Sequence, residues 1–176
     1  MPRNRRPQDA EAKRDEILDA ATELFTRLGY DGTSLKAIAS SAGVTANTIY
    51  WYFPDKDTLL VGVVDRLVLA ALTELSALED EPLPRQLHWV VQRLRDYHQL
   101  VTAVHARADT SPPIDTWHRR FHNLADAVLK EGFRQAGTPE LDLDARAQMA
   151  VLVVEGLITH VHDGDRTRAI LDLLAS

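Results

Sequence analysis

Apolar residues recur at helical spacing along most of this chain. Ile17, Leu18, Ala21, Leu24, Phe25 and Leu28 form one stripe, the i, i+3, i+4 signature of an amphipathic helix. It predicts a first helix over about 9–28, with Gly29 as its stop. Thr33 or Ser34 is placed to cap a second helix running to about residue 42, with Leu35, Ile38 and Ala39 inward. Gly43 follows as a turn, Val44 as a core plug, and Thr45 as the cap of a third helix ending near 51–53, before Pro54. Asp55 caps a long fourth helix marked by Leu60, Val63, Val64, Leu67, Ala71 and Leu75. After the acidic, proline-containing break at 79–84, helical spacing returns over 85–108, as one helix or two. Further helices are predicted over about 114–136, 142–162 and 165–175, the last carrying Ile170, Leu171 and Leu174. No segment alternates like a strand. The fold class is all-α, with about eight or nine helices.

Two short helices joined by a glycine turn, at residues 33–53, have the form of a helix-turn-helix. One helix braces, the turn sets an angle, and the second offers small or polar side chains to base edges in the major groove. Ile38, Ala39, Val44, Ile49 and Phe53 can share a core with the first helix. That leaves Ala46, Asn47, Thr48, Tyr50, Trp51 and Tyr52 for the outside. Successive helical residues point about 100° apart, so the run Tyr50-Trp51-Tyr52 cannot all be buried. Tyr hydroxyls and the Trp N–H can reach phosphate oxygens, while ring edges pack on sugars and thymine methyls.

The run GVTANTIYWYFPDKDTLL, together with Ile17, Ala21, Leu24, Phe25, Gly29, Tyr30, Thr33, Ile38 and Ala39, resembles the N-terminal domain of the tetracycline-repressor (TetR) family of bacterial transcriptional regulators. The resemblance covers about residues 13–60. It implies an N-terminal helix-turn-helix domain over 1–54 and a C-terminal ligand-binding and dimerisation domain over 55–176. Residues 1–7, with Arg3, Arg5, Arg6 and two prolines, read as a flexible basic arm, a loose tail more simply than an arm on phosphates or the minor groove. The resemblance also implies a homodimer that releases a palindromic double-stranded DNA operator when a small molecule enters the C-terminal body. Carried over position by position, Lys36, Ala46, Asn47 and Tyr50 fall where family members touch bases. Thr33, Ser34, Thr45, Thr48, Trp51, Tyr52 and Lys56 fall where they touch phosphates. Two departures bear on readout. Tyr52 stands where many members have histidine, and Ala46 is too short to hydrogen-bond a base.

The helix over 142–162 is too apolar for the surface of a monomer. Met149, Leu152, Val153, Gly156, Leu157 and His160 follow one stripe, while Val151, Val154, Ile158 and Val161 cover another face. Two apolar faces need two partners, the body's core and a second subunit. A two-fold protein also matches a two-fold operator. In the family the last helices pair as a four-helix bundle, and the first stripe is assigned that role, together with the 165–175 helix. Trp89, Tyr97, His98, Val101, His105, Trp117 and Phe121 are candidates for a ligand pocket with aromatic walls and a few polar anchors. All seven histidines lie after residue 60. His98/His105 and His118/His122 share helix faces, but they read as exposed or pocket-lining imidazoles, and no metal or cofactor is expected.

Charge sharpens this picture. The chain of 176 residues has a net charge of −6. Residues 1–60 hold 8 Lys/Arg against 9 Asp/Glu, and the remainder 12 against 17. The acidity therefore lies mostly outside the head. Affinity for DNA must come from geometry and dimerisation more than from bulk charge. The absence of cysteine excludes disulfides and thiolate metal sites. No apolar stretch approaches the roughly 20 residues that span a bilayer, and the basic start MPRNRRPQD lacks an apolar region behind it. The expectation is a cytoplasmic, non-enzymatic transcriptional regulator, most simply a repressor. The alternatives are an all-α histidine-based metal-dependent enzyme and an architectural DNA binder with no ligand.

Overall fold

The stripe Ile17, Leu18, Ala21, Leu24 and Phe25 is wholly or nearly buried, because it is the face that the first helix turns toward the next two. The computed structural model describes residues 7–160 and 163–176. The expected arm at Arg3, Arg5 and Arg6 lies outside the described residues, as do Val161 and His162. Among the described residues the order is α1 Pro7–Leu28, α2 Leu35–Ser41, α3 Ala46–Tyr52, α4 Lys56–Ser76, α5 Leu83–Asp96, α6 His98–Ala108, α7 Pro112–Gln135, α8 Leu143–Thr159 and α9 Gly164–Leu174, with a single 3-10 turn at Glu140–Asp142 and no strand. The fold is all-α.

The segment over 85–108 is two helices, divided at Tyr97, whose backbone leaves the helical region at φ −111° and ψ 25°. The apolar helix expected to reach 162 stops at Thr159, where His160 turns extended. Leu28, counted in the inward stripe, is instead 49% exposed.

Packing divides the chain into two units. The first runs up to Val68 and includes Gln99–Thr116. In it α1 packs on α2, and α2 on α3, around Phe25, Ile38, Ile49, Phe53 and Leu60. The first half of α4 belongs to this unit because it approaches closely at Gly62. A Cβ there would meet Phe53 Cε1 at 2.9 Å and Leu18 Cδ2 at 3.1 Å. The unit thus extends well past residue 54, the boundary drawn from sequence. Its added helical material supplies Leu59, Leu60, Val63 and Val64 to the buried interior.

The second unit comprises Leu69–His98 and Trp117–Ser176. Here α5 packs on both α8 and α9. The core is built from Leu83, Leu87 and Val91 of α5, Phe133 of α7, Ala150, Val154 and Leu157 of α8, and Leu171 and Leu174 of α9. Arg95 on α5 donates to the Leu157 carbonyl at 2.9 Å, near the end of α8 where backbone acceptors lose their helical partners.

Candidate nucleic-acid interface

Three side chains start the helices that form the interface. Ser34 Oγ accepts the Ala37 N–H at 3.1 Å, Thr45 Oγ1 accepts that of Thr48 at 3.2 Å, and Asp55 Oδ1 accepts that of Thr58 at 2.7 Å. Each satisfies an N–H that has no partner inside its helix. Between α2 and α3 the chain reverses at Gly43, with φ +63°. The Val44 N–H reaches back to the Ala39 carbonyl at 2.9 Å, closing a Schellman-type turn. A Cβ on Gly43 would meet nothing within 4 Å. Backbone conformation, not space, therefore requires glycine there.

This framework buries Ile49 and Phe53 and leaves the other face of α3 bare. Tyr50 is 53% exposed and Trp51 74%. Asn47 is exposed, and Ala46, Thr48 and Tyr52 are half-buried. The aromatic run is thus split as its spacing predicted. Trp51 and Tyr52 meet edge to face at 4.6 Å, which limits the rotamers of both. Lys36 and Ser34 of the α2 segment are exposed, as is Thr45.

Thr33 is a correction. It was expected at a phosphate, yet it is 2% exposed. Its hydroxyl donates toward the Gly29 carbonyl at 2.7 Å and lies 3.2 Å from that of Leu24. It ties the end of α1 to the start of α2 and has no surface to offer.

Lys56, at the first turn of α4, is held by its surroundings. Its Nζ lies 4.0 Å from the centroid of the Tyr30 ring, a cation–π contact. Burial pushes the ammonium below its ordinary range, while Asp31 pulls the other way. The Tyr30 hydroxyl donates to Asp57, and burial followed by that bond raises the phenol. Arg107 of α6 completes the group. Its Nε and Nη2 donate to the two Asp57 oxygens, and its guanidinium carbon stands 4.6 Å from the Tyr30 centroid. Burial opposes ionisation of Asp57, but the bonds from Arg107 and Tyr30 outweigh it and bring the carboxyl down to about 2. The bond to Asp57 also raises Arg107. Sequence reading missed this network. Asp57 and Arg107 lie on different helices, and no periodicity pairs them.

The other expected sites fare differently. Val101 and His105 belong to the first unit, whereas Trp89, Tyr97, His98, Trp117 and Phe121 belong to the second. Within the second, Trp117 and Phe121 stack at 5.3 Å with 10° between planes. Arg93 lies near the Trp89 and Tyr97 rings, at 5.8 and 5.7 Å, and His98 is exposed. Of the stripe assigned to a second subunit, Met149 is 54% and Leu152 64% exposed. Val153 and Gly156 are half-buried and His160 is exposed. A Cβ on Gly156 would meet nothing. Leu157 is a correction: it is 2% exposed and sits in the unit's own core, because α8 turns that position toward α5. Among the described residues, no helix is long and apolar enough to cross a membrane.

An N-capped helix pair around a left-handed glycine, with a bare polar and aromatic face, is the helix-turn-helix of DNA-reading proteins. Comparison with known proteins agrees. Residues 17–63 match the family described as bacterial regulatory proteins, tetR family. The chain is 31% identical over 149 residues to the HTH-type transcriptional repressor Rv3405c of Mycobacterium tuberculosis, covering 85% of this chain and 71% of that protein. It is 33% identical over 100 residues to the HTH-type transcriptional regulator RutR of Escherichia coli, covering 54% of this chain and 47% of RutR; the match thus spans about half the length of that relative. Among solved structures, a transcriptional regulator from Rhodococcus sp. Rha1 shares the fold with a TM-score of 0.76, 23% identity and coverage of 92% and 93%. The regulator FadR from Bacillus subtilis, in complex with stearoyl-CoA, aligns with a TM-score of 0.64, 23% identity and coverage of 92% and 97%. The chain belongs to the TetR family of bacterial regulatory proteins.

Proposed function

We propose that this protein is a homodimeric transcriptional regulator that represses from a palindromic DNA operator and releases it when a small molecule binds its C-terminal part. The observation that carries the reading is the bare face of α3, where Asn47, Tyr50 and Trp51 stand exposed on a helix whose opposite side, Ile49 and Phe53, is locked in the core. Lys36, Asn47 and Tyr50 are the base-contacting candidates, with Ala46 limited to methyl contact. Ser34, Thr45, Thr48, Trp51, Tyr52 and Lys56 are the phosphate candidates. One head has little charge to spend on DNA, so two heads are needed. Met149, Leu152, Val153 and Gly156 of α8, with the exposed Leu173 of α9, are the surface proposed to receive the second subunit.

The effector is proposed to meet aromatic side chains of the second unit, Trp117 and Phe121 first among them. Release then follows from linkage: DNA and effector favour different separations of the two α3 helices, so each must weaken the other to the same degree. DNA favours a separation of about one helical turn, roughly 34–36 Å. Selection of bound duplexes from random DNA, followed by a screen for compounds that release the winning site, tests the whole reading. An enriched palindromic site freed by a small molecule is expected. Failure to enrich any site from the dimeric protein would overturn it.

A further inference from the structure

The Lys56 ammonium rests on a ring, and that ring is itself fixed. Lys56 Nζ stands 4.0 Å from the Tyr30 centroid. Tyr30 is 8% exposed, its ring lies 5.6 Å from that of Phe25 with 30° between planes, and its hydroxyl donates to Asp57. Arg107 donates to both oxygens of the same carboxylate. All five residues belong to the first unit.

We propose that Tyr30 is the positioning residue for Lys56, its ring presetting the ammonium for a DNA phosphate. The inference rests on the reading of Lys56 as a phosphate contact. Lysine is a point charge on a flexible four-carbon stem, and ordering such a stem is among the larger side-chain entropy costs in proteins. A lysine that is free to wander binds more weakly by the fraction of time it spends in the contacting rotamer. A stem laid over a buried ring has lost most of that freedom before DNA arrives. The nature of the partner matters as much as its place. A carboxylate would neutralise the ammonium and occupy its N–H groups. The face of an aromatic ring attracts the cation through its quadrupole and leaves the charge in place, with N–H donors to spare. Asp57 is one position away and is the obvious competitor. The Arg107 fork and the Tyr30 hydroxyl engage its two oxygens, so the bonds that fix the ring also occupy the carboxylate. Lys56 is half-buried, and part of its side chain still faces solvent.

The test measures binding of the full chain to a labelled duplex of mixed sequence at low salt, where phosphate contacts dominate, in a double-mutant cycle on residues 30 and 56. Lys56→Ala is expected to weaken binding about 10-fold. Tyr30→Leu removes the ring. It should weaken binding by the wild type about 3- to 10-fold and cause no further loss when combined with Lys56→Ala. Tyr30→Phe keeps the ring and should retain most of the affinity. A Tyr30→Phe series with increasing ring fluorination preserves shape while draining the π charge, so it reads the contact even where Tyr30→Leu fails to fold. Affinity should fall stepwise along that series, and stay flat when Lys56→Ala is present. Equal losses from Tyr30→Leu with and without Lys56, or a flat fluorine series in the presence of Lys56, overturns the positioning role while leaving Lys56 a phosphate contact. Wild-type binding by Lys56→Ala overturns both.

Discussion

Arg107 and Asp57, fifty positions apart, face each other with two parallel hydrogen bonds, Nε to Oδ1 at 2.9 Å and Nη2 to Oδ2 at 3.1 Å. Such bidentate pairs are among the stronger polar contacts in proteins. This one fixes the residue next to Lys56, so the first turn of α4 is positioned by α6.

Acid should loosen that turn. Asp57 is held at about 2 when folded, against about 3.9 in an unfolded chain. Because the folded value is the lower one, the pair contributes its full stability above about pH 4. That contribution is lost as pH falls toward 2. Its size is on the order of 2 kcal/mol. Asp57→Asn should melt lower than wild type at pH 7, and the gap should shrink between pH 4 and 2 in urea unfolding. A gap that stays constant across that range would contradict the assignment.

Operator affinity should depend on α3 and on Lys56 while the dimer stays folded. Tyr50→Ala and Lys56→Ala are each expected to cost about 1–3 kcal/mol, roughly 10- to 100-fold in Kd, and the lysine variant, which also loses its contact with the Tyr30 ring, should melt slightly lower, by roughly 0.5–1 kcal/mol of stability. The lysine variant should also lower the slope of log K against log salt by about one. Fluorescence anisotropy at several salt concentrations reads both quantities. Wild-type affinity for the Lys56 variant would remove that residue from the phosphate contacts.

Leu152 and Leu157 of α8 should separate assembly from folding. Leu152→Arg places a charge on an exposed position and should yield folded monomers that no longer hold the operator. Leu157→Ala opens the core and should cost about 2–5 kcal/mol of stability. Analytical ultracentrifugation and chemical denaturation distinguish them. A Leu152→Arg protein that remains dimeric would move the subunit interface elsewhere.

Gly62 and Gly43 should fail for different reasons. Gly62→Val pushes into Phe53 and Leu18 and is expected to cost about 1–3 kcal/mol through overpacking. Gly43→Ala meets no atom, yet must adopt a left-handed backbone and should cost about 1–2 kcal/mol. Gly43→Asn should lose less, since asparagine tolerates that region. Equal losses for Ala and Asn at residue 43 would argue against the conformational explanation.

The short helices of the head were legible because each end has a local marker. Ser34, Thr45, Asp55 and Gly43 act within a few residues of where they stand, and their caps and turn form as their chemistry requires. Tertiary choices were harder to read. Leu28 fits the α1 stripe by spacing, yet it stands 49% exposed at the end of the helix, and spacing alone does not say where burial stops. Thr33 has the residue type of a phosphate contact, yet carbonyls at the end of α1 claim its hydroxyl. Leu157 shares a stripe with Leu152, but α5 covers only one of them. Glu155 gave no sign that its carboxylate would lie 3.9 Å from His122 Nε2, because the two stand on different helices and no periodicity pairs them.

The exposure of Trp51 has an experimental consequence. An indole 74% open to water emits at long wavelength and is open to added quenchers, whereas Trp117, 8% exposed, is shielded from both. If α3 enters a groove, the red part of the emission should move to the blue and lose its sensitivity to iodide, while the Trp117 contribution stays where it was. Engagement of DNA is then visible in the intrinsic light of the unlabelled protein.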